Sequence, residues 1–144
     1  MRFERAVPAD VPAVEALLAA AGLPLDGARE AFALGVVGRG DDGRVLAAAA
    51  IERFGTAGLL RSVVVAPEER GTGAGRAVVA AAETLARDEG ITDLYLLTET
   101  AVEWFPRLGY EVVDRAAAAA VVGESVEFTT VCRDTGVPMR RSLA

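Results

Sequence analysis

Three glycines at alternate positions, Gly71, Gly73 and Gly75, separate the apolar segment LLRSVVVA from an Ala/Val-rich segment with helical spacing. In a strand–loop–helix unit of this kind, the first backbone N–H groups of the helix point at one spot, and the helix dipole adds positive potential there. Glycines let a ligand approach the backbone closely. The pattern predicts a phosphate-binding loop, and the alternative is a tight strand-to-helix turn without a ligand.

Two familiar nucleotide-binding loops fit this segment poorly. A nucleoside-triphosphate P-loop closes with Gly-Lys-Ser/Thr, whereas Gly75 is followed by Arg76 and Ala77. A dinucleotide-binding loop has the spacing G-x-G-x-x-G, whereas this segment has G-x-G-x-G and follows several strands. Neither of these nucleotide-binding loops is therefore indicated.

Composition limits the chemistry further. The 144 residues carry a formal net charge of −6, no histidine and one cysteine, Cys132. The length predicts a single domain over residues 1–144. Without histidine, Ser/His and Cys/His catalytic pairs and histidine metal sites are excluded, and we expect no metal. The acidic balance argues against nucleic-acid binding, and no apolar run is long enough to cross a membrane, so we expect a cytoplasmic protein without nucleic-acid or membrane partners.

Hydrophobic periodicity and turn residues predict a mixed α/β chain. Asp10 is placed to cap a first helix that stops at Gly22, and Asp-Gly in GRGDDGR predicts an antiparallel hairpin. Pro138 is expected to confine the last strand to an edge or bulge position. The predicted strands cover residues 2–7, 31–39, 45–54, 59–66, 91–97, 110–114 and 137–141, and later helices cover 75–89, 100–108 and parts of 116–131.

Two motifs give the chain a resemblance to a known family. The run from Arg70 to Gly75, RGTGAG, matches the Arg/Gln-x-x-Gly-x-Gly/Ala loop of the GNAT N-acetyltransferases, and VVVAPEE resembles the lead-in to that loop. About 30 residues later, AVEWFPRLGYEVV resembles the family's second signature, in which a short helix ends in F-Y-x-x-L-G-F and leads into a strand. The motifs occur in the family's order, and the resemblance extends over about residues 2–141.

The resemblance implies a fold and a mechanism. The fold is an α/β GNAT domain with a mixed, mostly antiparallel twisted sheet of six to seven strands and about four flanking helices. A bulge splays the fourth strand from the fifth, and acetyl-CoA, the co-substrate, enters the gap. An amine then attacks the thioester directly, while a backbone N–H near Val64 stabilises the oxyanion. A homodimer is compatible with the family.

The same resemblance implies which residues bind acetyl-CoA. Backbone groups of the fourth strand would pair with the pantetheine arm, the amides and arginines of the glycine loop would hold the pyrophosphate, and the second motif would complete the site. The residues so implied are Val63, Val64, Val65, Arg70, Gly71, Thr72, Gly73, Ala74, Gly75, Arg76, Thr98, Phe105 and Arg107.

The sequence departs from the family pattern at positions that bear on catalysis. Phe105 stands where many relatives carry the tyrosine that protonates the leaving thiolate, so that role falls to Tyr95, Tyr110 or water, or is vacant. Thr98 replaces an asparagine that contacts CoA in many relatives. Residues 59 and 60, where some members carry a carboxylate base, are both leucine.

These departures turn attention to polar residues on the neighbouring strands. Glu52 ends the third strand and Arg61 and Ser62 lie on the fourth, so a hairpin would bring them together. We expect Glu52 to be the base, Arg61 to clamp a substrate carboxylate and Ser62 to contact substrate. The alternatives are a surface acid paired with an arginine and a surface or interface arginine. Glu127 and Phe128 are expected at the substrate end of the cleft, with core packing as the alternative for Phe128.

A finer resemblance concerns the substrate. Two sequence patterns resemble those of a bacterial GNAT subgroup associated with arsenic resistance: E-x-x-G-x-x-x-LLRS-x-x-V-x-P and LYLLT-x-T-A. This resemblance implies a small amino-acid-like amine as substrate. Cys132 is alone, so a paired-thiol arsenic(III) site is not available within the chain. Two alternatives remain open: a protein or peptide N-acetyltransferase, and a non-catalytic acyl-CoA-binding module.

Overall fold

The computed structural model describes residues 1–131 and 135–144, and over these residues the chain forms one seven-stranded sheet. The order across the sheet is β1-β2-β3-β4-β5-β7-β6, and every pairing is antiparallel except that of β4 with β5. The predicted mixed, mostly antiparallel GNAT-type sheet is confirmed. The strands are β1 (Arg2–Arg5), β2 (Gly35–Arg39), β3 (Val45–Phe54), β4 (Ala57–Val65), β5 (Asp93–Thr98), β6 (Glu111–Val112) and β7 (Val137–Ser142).

Helices cover both faces of this sheet. The long helix α3 directly follows the glycine loop, one residue earlier at each end than predicted. Short 3₁₀ turns precede or follow several elements. A π-helical turn, Glu127–Val131, lies between α4 and β7 and ends at the last described residue before the gap. The α-helices of the described residues are α1 (Val11–Ala20), α2 (Ala28–Ala31), α3 (Ala74–Asp88) and α4 (Arg115–Val122).

Two apolar cores hold α1, α2 and α3 to the sheet, and a smaller cluster holds α4. The predicted stripe of α3 packs on one face, where Val78, Val79, Ala82 and Ala86 are buried against Ile51 and other strand residues. The second core lies under α1 and α2 on the opposite face. Burying a Val or Ile side chain contributes about 1.5–3 kcal/mol, so these faces fix α3 firmly against the sheet. No helix in the described ranges has the length and apolar character that crossing a bilayer requires.

A β-bulge in β4 is the feature that opens the sheet. Arg61 pairs with Ala50, but Val64 pairs with Ala48, so β4 carries one extra residue between these pairs. Ser62 lies within the bulge at φ 56°, and it is the one non-glycine with positive φ among the residues described. β5 pairs with β4 only over Ala57–Leu59, before the bulge. Beyond that point the two parallel strands separate, as the resemblance implied.

Several predicted boundaries were wrong for identifiable reasons. The strand predicted over 31–39 begins only at Gly35, because the apolar residues before it form α2 and a 3₁₀ turn, Phe32–Leu34. Short apolar runs do not distinguish helix from strand. The helix predicted over 100–108 is reduced to a 3₁₀ turn, Phe105–Leu108. Asp10 does precede α1, but its carboxylate accepts the N–H of Val7 (2.9 Å) instead of capping that helix.

The edge position predicted for Pro138 was also wrong. β7 lies between β5 and β6, and Pro138 pairs with Leu97 of β5. The carbonyl of Pro138 accepts the N–H of Val113 (3.0 Å), so this side of the residue faces β6. N–H and C=O of one strand residue point to the same side, and β6 pairs only over Glu111–Val112. The N–H that proline lacks would therefore point toward β6, which has already ended at this position, so no ladder hydrogen bond between paired strands is lost.

Candidate active site

The separation of β4 from β5 opens into a cleft of about 410 Å³. One wall is β4 from Leu60 onward, the other is the end of β5 and the turn after it, and the α1–α2 connection closes one end. The predicted CoA-binding residues on β4, together with Gly75, Thr98 and Phe105, line this space, as do Arg61, Ser62 and Glu127. The lining residues are Gly22, Leu23, Pro24, Leu60, Arg61, Ser62, Val63, Val64, Val65, Gly75, Leu96, Leu97, Thr98, Glu99, Thr100, Ala101, Trp104, Phe105 and Glu127.

The register of β4 decides which backbone groups face the cleft. The N–H of Ala66 donates to Leu46 of β3 (2.7 Å), and Val64 pairs with Ala48 two residues earlier in the same register. Because backbone groups alternate sides along a strand, the N–H of Val64 also points toward β3. By the same alternation the N–H of Val65 points toward the cleft, and we expect the N–H of Val63, next to Val64, to do the same. Val63, which lies in the bulge, is therefore the candidate oxyanion donor in place of Val64.

The glycine loop has the backbone geometry of an anion site. Gly71 and Gly73 adopt φ 81° and 87°, and Gly73 is the residue before α3. A Cβ at either position would meet no atom within 4 Å, so backbone conformation, not space, is what favours glycine there. The first N–H groups of α3 have no partners within the helix. Thr72 differs from the expectation, because its N–H already donates to the carbonyl of Glu69 (3.4 Å).

Gly75 has a different reason to be glycine. A Cβ there would lie 3.2 Å from the ring of Trp104, which lines the cleft against the first turn of α3. Phe105 contacts both Trp104 and Tyr110 edge to face, with centroids 4.9 and 5.6 Å apart. Thr98 uses its hydroxyl to accept the N–H of Ala101 (2.9 Å), which shapes the turn after β5. These aromatic and turn contacts hold the wall opposite β4.

Four charged residues near the glycine loop and the turn after β5 are exposed on the surface. Arg70 and Arg76 flank the loop on the exposed surface, where their guanidinium groups are accessible to an anionic ligand. Arg107 is exposed and lies beside Trp104 in a neighbouring depression. Glu99 is exposed on the cleft wall after β5.

Arg61 is buried and held by three partners. Its side chain is 0% exposed. Nη1 donates to Glu52 Oε1 (3.1 Å), Nη2 to the backbone carbonyl of Asp26 (2.6 Å), and Nε to Ser62 Oγ (3.1 Å). A Cβ on Gly27 would lie 3.0 Å from Nη1, so the guanidinium is closely packed as well. This arrangement argues against the expected direct clamp on a substrate carboxylate, because the donors face protein groups.

Glu52 lies behind the cleft, not in its lining. Its Oε1 accepts from Arg61 and from the hydroxyl of Ser125 (2.8 Å). Ser125 in turn accepts the N–H of Glu127 (3.2 Å). The predicted proximity of Glu52, Arg61 and Ser62 is present, but the role of Glu52 as the cleft-facing base is not favoured by this placement. Sequence reasoning missed Ser125 and the Asp26 carbonyl. Ser125 is 73 residues from Glu52 and Asp26 is 35 residues from Arg61 along the chain, and no sequence pattern links residues so far apart.

Glu127 is the buried carboxyl group that lines the cleft, and the residue is 6% exposed. Burial raises the pKa of Glu127 to about 7, with smaller raising effects from Glu52 and Glu99, while the positive charge of Arg61 lowers it. Arg61 Nε lies 3.8 Å from Glu127 Oε2. A group with this pKa changes charge near neutral pH, in the range where general bases work well.

The pKa of Glu127 predicts a pH dependence of stability. The folded protein holds the Glu127 proton more tightly than the unfolded chain, so the contribution of this group to the free energy of unfolding falls as pH rises from its ordinary 4.5 to about 7. We expect wild type to lose about 3 kcal/mol relative to Glu127→Gln across this window. Urea unfolding of both proteins from pH 5 to pH 8 measures the difference, and a pH-independent difference would contradict it.

Neither tyrosine named for thiolate protonation lines the cleft. Tyr110 is 1% exposed, and its hydroxyl donates to Glu83 (2.8 Å). Burial and the negative charge of Glu83 raise the pKa of Tyr110 well above its ordinary value. Arg141 neutralises Glu83 with two hydrogen bonds of 2.8 and 2.7 Å. Tyr95 packs with an apolar cluster on the other side of the β4–β5 pair. Of the candidates for protonating the leaving thiolate, water therefore remains.

Phe128 packs in the core instead of contacting the cleft. It lies with Leu59, Leu97 and α4 in an apolar cluster, and the guanidinium of Arg115 lies 5.8 Å from its ring centroid. The structure therefore favours core packing for Phe128 over the expected contact with substrate. Cys132, the other residue near the tail, lies outside the described residues.

Comparison with known proteins agrees with this geometry. Residues 35–112, just over half of the chain, match the family model described as an acetyltransferase (GNAT) domain. That span contains the bulged strand, the glycine loop and the second motif. No curated protein matches the chain.

Solved structures show the same fold at low identity. N-acetylglutamate synthase from Neisseria gonorrhoeae, complexed with coenzyme A and N-acetyl-glutamate, superposes with a TM-score of 0.81 at 20% identity, over 99% of this chain and 35% of that one. Rv2747 from Mycobacterium tuberculosis, in complex with CoA, gives 0.79 at 22% identity over the full length of both chains. Nourseothricin acetyltransferase gives 0.68 at 21% identity, over 99% of this chain and 98% of that one. This chain spans about a third of the N-acetylglutamate synthase.

The family match and the local geometry lead to one identification. A bulged fourth strand, a gap beside it and a left-handed glycine loop before α3 are the parts that an acetyl-CoA site of this family requires, and each is present. The chain belongs to the GNAT acetyltransferase family.

Proposed function

We propose that this protein transfers the acetyl group of acetyl-CoA to the primary amine of a small, amino-acid-like molecule. The observation that carries the proposal is the size and closure of the cleft. Its 410 Å³ must hold the acetyl end of the co-substrate together with the acceptor, and ligand pockets generally measure about 300–1,000 Å³. The space left for an acceptor suits a small molecule.

The acetyl-CoA end of the proposal rests on β4 and the glycine loop. The cleft-facing backbone of Val63 and Val65 would pair with the pantetheine arm as an added strand does. The first amides of α3, with Arg70 and Arg76, would hold the pyrophosphate at the positive end of the helix dipole. Val63 N–H would donate to the thioester oxygen as negative charge develops on it. These assignments follow the orientation of backbone groups along β4 and α3.

Two observations support a small amine as the acceptor: the charged groups at the closed end of the cleft, and the acceptors of similar proteins. The charged groups at that end are Arg61 and Glu127 in the lining, with Glu52 behind them, a set close to neutral overall that suits a compact polar amine. The N-acetylglutamate synthase and the nourseothricin acetyltransferase act, by their names, on an amino acid and an antibiotic. The resemblance to the arsenic-resistance subgroup adds arsenical and phosphinic amino acids as acceptors worth testing.

An acceptor panel tests the proposal. The protein is incubated with acetyl-CoA and, separately, L-glutamate, phosphinothricin, an arsenical amino acid, nourseothricin and a basic peptide. Release of CoA thiol gives the rate, and mass spectrometry identifies the acetylated product. We expect acetylation of at least one small amine at rates well above that of the peptide. Acetylation of the peptide alone would overturn the proposal in favour of a peptide acetyltransferase.

A further inference from the structure

We propose that Glu127 is the general base that takes a proton from the acceptor amine, and that Ser125, Glu52 and Arg61 position its carboxyl group. This inference rests on the proposed function, because it assigns a residue to the reaction at the same cleft. It replaces the expectation from sequence that Glu52 is the base.

The first argument is placement. Glu127 lines the cleft together with Ser62 and Val63, so the proposed base and the residue proposed as oxyanion donor border the same space. Glu52 is absent from that lining and already accepts hydrogen bonds from Arg61 and Ser125. Of these two acidic residues, only Glu127 borders the space in which an acceptor nitrogen would approach the acetyl carbon.

The second argument is the support behind Glu127. Ser125 accepts the N–H of Glu127 and donates to Glu52, which ties the start of the Glu127–Val131 turn to β3. Arg61, fixed by the Asp26 carbonyl and Glu52, places a positive charge 3.8 Å from Glu127 Oε2. Restraints of this kind hold a catalytic group in one geometry. Ser125, Glu52 and Arg61 act through Glu127 and are positioning residues.

The third argument is electrostatic. Among the described residues, the charged groups that act on Glu127 are Arg61 from β4, Glu52 from β3 and Glu99 from the turn after β5. Arg61 stabilises the carboxylate, while the two acids and burial oppose it. The balance leaves the pKa of Glu127 at about 7, so near neutral pH the group exists in both forms and can accept a proton and release it again.

The chemical step balances without another co-reactant. The acceptor enters as an ammonium ion and passes one proton to the Glu127 carboxylate. The neutral nitrogen attacks the acetyl carbonyl carbon, forming the C–N bond, and the C–S bond then breaks. The second nitrogen proton goes to the departing thiolate through water. The products are the acetylated amine and CoA thiol, and Glu127 returns its proton to solvent.

Glu127→Gln tests the base by its pH profile. We expect wild-type kcat/KM for a small amine to rise with pH through an apparent pKa near 7. In Glu127→Gln we expect kcat/KM at pH 7 to fall about 10²–10⁴-fold and this limb to disappear, because general-base catalysis contributes about that factor. Binding of desulfo-CoA, measured by calorimetry, should be unchanged. Glu124→Gln, an exposed acid on the same segment, is the matched control and should retain wild-type kinetics.

A second readout separates this inference from the proposed function. In the absence of an amine, water can replace it, and slow hydrolysis of acetyl-CoA should show the same loss in Glu127→Gln. If no small amine is acetylated but hydrolysis depends on Glu127, the base assignment holds and the proposed acceptor class fails. If amines are acetylated equally well by wild type and Glu127→Gln at every pH, the base assignment fails and the proposed function stands. Absence of thiol release under both conditions would overturn both.

Discussion

The Gly73→Glu variant is expected to bind acetyl-CoA at least about 100-fold more weakly than wild type, a loss of roughly 3 kcal/mol. Two effects add. The left-handed φ of Gly73 costs a residue with a side chain about 1–2 kcal/mol, and affinity falls to the extent that the free loop relaxes to another conformation that ligand binding must reverse. The new carboxylate also lies at the start of α3, where the pyrophosphate is proposed to bind, and repels it. Calorimetric titration with desulfo-CoA, which binds without reacting, measures the loss directly.

Gly73→Ala is the matched control for this experiment, because it keeps the backbone strain and adds no charge. No atom lies within 4 Å of the added Cβ, so steric contact does not complicate the comparison. We expect Gly73→Ala to weaken binding by about tenfold at most, which corresponds to about 1.4 kcal/mol. If both variants bound desulfo-CoA as tightly as wild type, at low and at high salt, the loop would be a turn without a role in pyrophosphate binding.

The Arg61→Ala variant is expected to lower the free energy of unfolding by about 3–5 kcal/mol. Removing one partner of a buried ion pair leaves the other charge uncompensated, which costs about this much. Arg61 is wholly buried, whereas the Glu52 side chain is 22% exposed, so part of the Glu52 charge can be hydrated after the change. The Asp26 carbonyl and the Ser62 hydroxyl also lose a donor. Urea unfolding at pH 7 measures the difference.

Arg53→Ala provides the matched control, since Arg53 is an exposed arginine on the neighbouring strand and should cost no more than about 1 kcal/mol. A second variant, Arg61→Met combined with Glu52→Gln, removes both charges of the pair. It should be more stable than Arg61→Ala, because the uncompensated carboxylate is gone. An Arg61→Ala protein as stable as the Arg53→Ala protein would contradict the structural account of this network.

Local patterns in the sequence predicted the elements that carry strong local signals. The hairpin strand over residues 45–54 matches β3, because Asp-Gly and Gly-Thr turns bracket it on both sides. The helix after the glycine loop was placed within one residue, because its apolar stripe has a clear period. The bulge in β4 came from family resemblance, and no residue in LLRSVVV signals it by type. Its position follows from pairing with β3, which sequence spacing does not reveal.

The catalytic end of the cleft was predicted only in outline. Glu52, Arg61 and Glu127 were named, but their arrangement depends on Ser125 and on a backbone carbonyl at Asp26, contacts between distant parts of the chain. Pattern reasoning favoured Glu52 because it ends a strand. Burial, which decides between Glu52 and Glu127, is a property of tertiary packing around the Glu127–Val131 turn. The same holds for Phe128, whose aromatic ring suits a cleft wall and a core equally well by type.

A crystal structure of the protein with acetyl-CoA tests the central claim most directly. We expect the pantetheine arm to lie between β4 and β5, with the pyrophosphate on the first amides of α3. The thioester oxygen should lie about 2.7–3.1 Å from the N–H of Val63, the distance at which a donor stabilises an oxyanion. The acetyl carbon should face the carboxyl group of Glu127. Acetyl-CoA bound elsewhere, with the β4–β5 gap empty, would contradict the account of this site.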